Sequence, residues 1–140
     1  MSAEENKALI LRGYGAGERG DWEAVFAMFD PACSFPDLVL YGFEPTLESY
    51  KQFVSAVTTA FSERKNIPEK MVAEGDTVMV WLAQLNKHTG PWCALPATDK
   101  QVSTRAAECF RLRDGKVIEF RVLTDTLSFL QQIGAFPSPK

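Results

Sequence analysis

The sequence has one histidine, His88, and three cysteines, Cys33, Cys93 and Cys109, at wide intervals. An odd cysteine count without a repeating interval makes neither a disulfide framework nor a zinc motif. One histidine cannot build a histidine-based metal centre, so neither metal nor cofactor is expected. Positive charge is also scarce. Lys and Arg number 15 against 18 Asp and Glu, a net charge of −3. A mildly acidic chain with no basic stripe lacks the phosphate-neutralising charge that nucleic-acid binding requires. No uninterrupted apolar run approaches the ~20 residues of a membrane span. The segment Met1–Asn6 carries Glu4 and Glu5 where a secretory signal would be basic, so a cytosolic location is expected. Internal repeats and low-complexity stretches are missing too, which argues against a solenoid and against disorder.

What is present is an apolar content of 46% over 140 residues, enough for one domain spanning 1–140 with its own core. Ser2 and Glu5 form a capping box, predicting a helix from Ala3 past Tyr14 whose end is softened by Gly13, Gly15, Gly17 and Gly20. Asp21 caps a second helix on which Trp22, Val25, Phe26 and Phe29 make one apolar stripe that Asp30-Pro31 stops. Two short strands are expected around 33–35 and 39–41, with Pro36-Asp37 between them. Thr46 caps a third helix carrying Leu47, Tyr50, Val54, Val57 and Phe61.

Beyond Arg64 the hydrophobic period changes from 3.6 to 2, predicting strands at 67–74, 77–87, 101–113 and 116–124. Pro68 suits an edge strand. A short last helix carries Leu127, Leu130 and Ile133 and ends at Gly134. Helices followed by antiparallel hairpins give the α+β class, with helices on one face of the sheet. Asp114-Gly115 is the preferred two-residue hairpin loop. If it is the whole loop, Arg113 opposes Lys116 and, keeping that register, Glu108 opposes Arg121. Directly opposed residues share a face. Glu108 and Arg121 would then be neighbours, with Asp125 on the same face. The other face, with Ile118, Phe120 and Val122, is apolar enough to need a cover, and a second copy of the chain is the natural one.

Blocks spread along the chain carry a resemblance to a known family. They are 18–25 (Glu-Arg-Gly-Asp-Trp-Glu-Ala-Val), 73–78 (Ala-Glu-Gly-Asp-Thr-Val), 88–90, 95–102, 110–119 and 125–134. In this order they resemble the SnoaL-like polyketide cyclases of the nuclear transport factor 2-like superfamily. The resemblance implies a cone-shaped, curved, mixed or antiparallel sheet wrapped around the N-terminal helices. It implies a small apolar substrate and, in the cyclases, an aspartate near the end of the last strand as general acid/base for an aldol ring closure. That aspartate matches Asp125. Where the family often has an aromatic residue and a histidine, this chain has Arg121 and Phe120. The superfamily hosts several reactions, so the resemblance is more specific for fold than for chemistry.

The expected activity is cofactor-independent acid/base catalysis on an apolar, carbonyl-bearing substrate. Asp125 would move the proton, Arg121 or a tyrosine such as Tyr14 would stabilise the enolate oxygen, and Glu108 would hold Arg121. Each has a structural alternative: Asp125 as an N-cap, and Glu108–Arg121 as an ordinary ion pair. His88 is a further acid/base candidate or a loop residue. Asp37 lies where the general base of the related ketosteroid isomerases is found. Trp22, Phe26, Phe35, Tyr50, Val54, Gln84 and Leu123 are expected in the pocket wall or core. An epoxide hydrolase-like use of Glu108–Arg121–Asp125, with Gln84, Asn86 or tyrosines holding water, is the alternative enzyme. A non-catalytic ligand-binding or dimerisation module is the alternative class.

Overall fold

The structure is a computed structural model and describes residues 1–139. Helix α1 (Ala3–Glu18) opens on the expected capping box, in which the Ser2 hydroxyl accepts from the Glu5 backbone N–H and the Glu5 carboxylate from that of Ser2. Its glycines do not end it early. Asp21 caps α2 (Trp22–Ala27), its carboxylate accepting from the Ala24 N–H at 3.2 Å.

The expected stripe ends sooner than its spacing indicates. Phe29 is not helical and starts strand β1 (Phe29–Ser34), which joins the sheet edge by parallel pairing. Residues Pro36–Tyr41 form a 3₁₀ helix where a short strand was expected. Pro36 removes a backbone donor that a central strand would need and has the φ of a first helical turn. Helix α3 (Leu47–Ala60) is capped by Thr46, and Phe61 passes directly into strand β2 (Phe61–Glu74). Strands β3 (Thr77–His88), β4 (Gln101–Arg113) and β5 (Lys116–Thr124) follow, then α4 (Thr126–Gln132).

The five strands form one curved, mixed sheet in the order β1-β5-β4-β3-β2. Its concave face turns Val78, Val80, Leu82, Ala106, Phe110 and Leu112 into a core shared with Ile10, Phe29 and Phe35. A ring cluster fixes α3 to β1 and β5, with Tyr50 stacked on Phe35 at 4.5 Å between centroids. No described helix is long and apolar enough to cross a membrane.

The β4–β5 hairpin turns as expected, with positive φ at both Asp114 (52°) and Gly115 (76°) as a type I′ turn requires. Its register then changes. Leu112 pairs with Val117, but Arg111 pairs with Glu119, so Ile118 is a surplus residue in β5. A bulge of this kind shifts the partner strand by one and exchanges the faces beyond it. Glu108 therefore pairs with Val122, and Arg121 with Cys109. The predicted Glu108–Arg121 neighbourhood is corrected: the two lie on opposite faces of the sheet.

Candidate active site

A cavity of about 420 Å³ lies between α1, α2, the start of β2 and the concave face of β4. That is within the range of small-molecule pockets. Its apolar wall includes Ile10, Trp22, Val25, Phe29, Phe110 and Phe120; Tyr14, Tyr50, Arg64, Asn66 and Glu108 are among its polar groups, and Glu18, Arg19, Thr58, Ser62 and Glu63 also line it. Gly13 and Gly17 also line it, so α1 passes the cavity without filling it.

Glu108 is the focus of the polar groups. It is half-buried and lines the cavity. The Tyr14 hydroxyl donates to Glu108 Oε1, and the Tyr14 ring stands edge-on to Phe110. Burial raises the Glu108 carboxyl from its ordinary 4.5 to about 7, against the opposing pull of the Tyr14 hydrogen bond and the Arg64 charge. Desolvation wins. Burial also pushes Tyr14 far above an ordinary tyrosine, and the Glu108 charge adds to it, so the hydroxyl stays a proton donor. Tyr50 is raised for the same first reason.

Arg64 escaped the sequence reading, which took it only as the point beyond which the hydrophobic period changes. Pairing runs Ser62 with Lys87 and then Lys65 with Leu85, three steps on β2 against two on β3. Glu63 takes a positive φ of 52° in this irregular segment. The broken alternation hid which of these side chains turn inward. The only available signal was a cationic residue among polar neighbours just before the regular strand. Its Nε donates to Asn86 Oδ1 at 3.2 Å, and burial lowers its pKa despite the fields of Tyr50 and Glu108.

Comparison with known proteins agrees with the architecture. The sequence profile described as SnoaL-like polyketide cyclase matches residues 8–133. The chain belongs to this family. Nogalonic acid methyl ester cyclase of Streptomyces nogalater is 28% identical over 100 residues, covering 71% of this chain and 75% of the relative. Aklanonic acid methyl ester cyclase DnrD of Streptomyces peucetius is 33% identical over 101 residues, covering 69% and 70% respectively. The crystal structure of AclR from Streptomyces galilaeus shares the fold at a TM-score of 0.87 and 23% identity, over 99% of this chain and 87% of that one. TsrD of Streptomyces laurentii superposes at 0.85 and 18% identity, over 97% and 99%.

Within this SnoaL-like frame the expected site residues separate into two groups. Tyr14, Trp22, Tyr50 and Glu108 meet around the cavity. The others lie outside its lining. Asp125 is exposed and caps α4, accepting from the Ser128 N–H at 3.1 Å. Arg121 is exposed, with its Nε 3.8 Å from Glu119. Leu123 is turned outward by the bulge and is 76% exposed. Glu108, Arg121 and Asp125 thus do not form the group that an epoxide hydrolase-like reading needs.

Asp37 Oδ2 accepts from the Val122 N–H at 2.8 Å and so ties the 3₁₀ helix to β5. His88 is fully buried beyond the cavity, beside the rings of Phe61 and Phe129, with Nδ1 3.0 Å from Thr98 Oγ1. Phe35 and Val54 are core residues. Phe26 packs against Trp22 and Tyr50 outside the lining. Gln84 pairs with Asn66 and Thr104, also outside the lining. Among the described residues no three His, Cys, Asp or Glu side chains converge as metal ligands.

Proposed function

We propose that the chain is a cofactor-independent cyclase whose acid/base is Glu108, acting on an apolar polyketide-like substrate that carries a carbonyl. The observation that carries this reading is a carboxyl with a pKa near 7, held by a tyrosine hydroxyl, in a cavity with apolar walls. A group that titrates near the working pH exchanges protons in both directions at useful rates. The Glu108 carboxylate takes the proton α to a carbonyl. The resulting enolate carbon attacks a second carbonyl of the same molecule and forms the ring C–C bond. The neutral Glu108 then returns the proton to the new alkoxide. Once Glu108 is neutral, the Tyr14 hydroxyl is free to donate to the developing oxyanion, where one aimed donor contributes ~3 kcal/mol. Atoms balance without an added reactant, and product and substrate have the same mass.

Nogalonic and aklanonic acid methyl esters, named for the relatives' substrates, are suitable first substrates. The expected result is a product of unchanged mass with one more ring, and incorporation of deuterium at the α carbon in heavy water. Glu108→Gln lowers both rates by roughly 10²–10⁴-fold. A Glu108→Gln protein as fast as the wild type removes Glu108 from the chemistry.

We also infer that the convex sheet face pairs with a second copy. Val72, Met79, Trp81 and Leu123 are 57%, 46%, 51% and 76% exposed on neighbouring strands, with Ala107 and Cys109 between them. Such a contiguous apolar patch is characteristic of an interface. The pairing predicts sedimentation at twice the 15.6 kDa chain mass. A monomer at micromolar concentration refutes it.

A further inference from the structure

We propose that Arg64 is a substrate anchor, seating an anionic oxygen group, a carboxylate or an ionised enol, at the β2 side of the cavity. The proposal rests on the cavity being the substrate site. Of the seven arginines, Arg64 is the one that is partly buried, the other six being exposed. Arg105, Arg111 and Arg121 have carboxylate partners at 2.7, 3.4 and 3.8 Å on the surface. Arg12, Arg19 and Arg113 have no such partner but are exposed, Arg19 where it also lines the cavity. Arg64 lacks a carboxylate partner and is less hydrated than these. No carboxylate among the described residues comes within ion-pair distance, and its one protein hydrogen bond runs from Nε to Asn86.

A guanidinium carries five N–H donors. With Nε held by Asn86, the terminal nitrogens are left without protein acceptors beside the cavity they line. Removing a guanidinium from water is costly unless its donors are satisfied. The planar fork left over fits a carboxylate or an enolate with two oxygens, and a charge-assisted pair of that kind is stronger than a neutral one. Glu108 does not supply this partner, since its carboxylate lies outside ion-pair distance of Arg64 and its Oε1 is held by the Tyr14 hydroxyl. Within the cavity, Tyr14 and Glu108 move the proton and Arg64 holds an acidic oxygen elsewhere on the ligand.

The test compares 2-naphthoate with 2-naphthamide, two probes of one shape and different charge, by calorimetry on the full chain at pH 6. There the probe acid is ionised and Glu108 is mostly neutral. The wild type is expected to bind 2-naphthoate about tenfold more tightly or better. Arg64→Gln loses that preference, Arg64→Lys keeps part of it, and Glu108→Gln keeps it in full. Arg64→Met, similar in volume and uncharged, replaces the glutamine variant if that protein does not fold. Equal affinities in the wild type, including no binding of either probe, overturn the anchor. So does a preference that survives in Arg64→Gln. Deuterium exchange separates the two claims: normal exchange without a charge preference defeats the anchor alone. A Glu108→Gln protein with undiminished exchange defeats the acid/base assignment alone.

Discussion

Glu108 makes its environment measurable as a dependence of stability on pH. Its folded pKa of about 7 lies above the ordinary 4.5, so the folded state holds a proton that the unfolded chain releases between those values. Stability from this group is complete below pH 4.5 and is lost as pH rises through about 7, by roughly 3 kcal/mol in total. Glu108→Gln, which cannot ionise, is expected to escape that loss. Denaturant midpoints of the two proteins should diverge from pH 5 to pH 7 and run parallel above it. Parallel curves throughout mean that the carboxyl is not desolvated. Asp125 makes the opposite case. Its carboxylate accepts from the Ser128 N–H, so Asp125→Ala should cost about 1 kcal/mol while the cyclisation rate per folded molecule stays unchanged. A collapse of that rate returns the acid/base role to Asp125.

At the scale of elements, legibility follows how local the determinants are. Caps at Ser2, Asp21 and Thr46 and the Asp114-Gly115 turn were readable because each acts within a few residues. Phe29 was misread as helical because its partner Val117 is distant in the chain and pairing there is parallel. The turn chemistry determined the first pairs of the β4–β5 hairpin, but nothing in the local pattern marked Ile118 as surplus. Tyr14 and Glu108 were therefore named as candidates without being seen as partners, and Arg64 was missed behind a second irregularity. Helix α1 yields a prediction of its own. A Cβ at Gly17 would meet Val25 Cγ2 at 3.8 Å and Trp22 Cζ3 at 3.9 Å, both ordinary contacts. Gly17→Ala should thus stabilise the helix by up to about 1 kcal/mol, raising the melting temperature by a few degrees. Gly17→Leu should fill the cavity and suppress turnover while the fold persists. Equal turnover in the leucine variant means the substrate lies elsewhere.

For the whole molecule, the two faces of one sheet have separate proposed duties, a concave side for the ligand and a convex side for another copy. Trp81→Glu places a charge in the middle of the apolar convex patch, on the strand that also carries Val80 inward. Sedimentation of that variant should show a monomer at concentrations where the wild type is paired, with the cavity still able to bind 2-naphthoate. An unaltered dimer moves the contact to another surface. The division between these faces depends on Ile118. Beyond it β5 behaves like a text whose reading frame has slipped by one letter. Phe120 and Val122 are spelled into the dry interior, and Arg121 and Leu123 onto the outer surface. Deleting that single residue would invert the assignment, and a family that gains or loses one residue beside this turn can exchange the chemistry of its chamber for that of its exterior in one step.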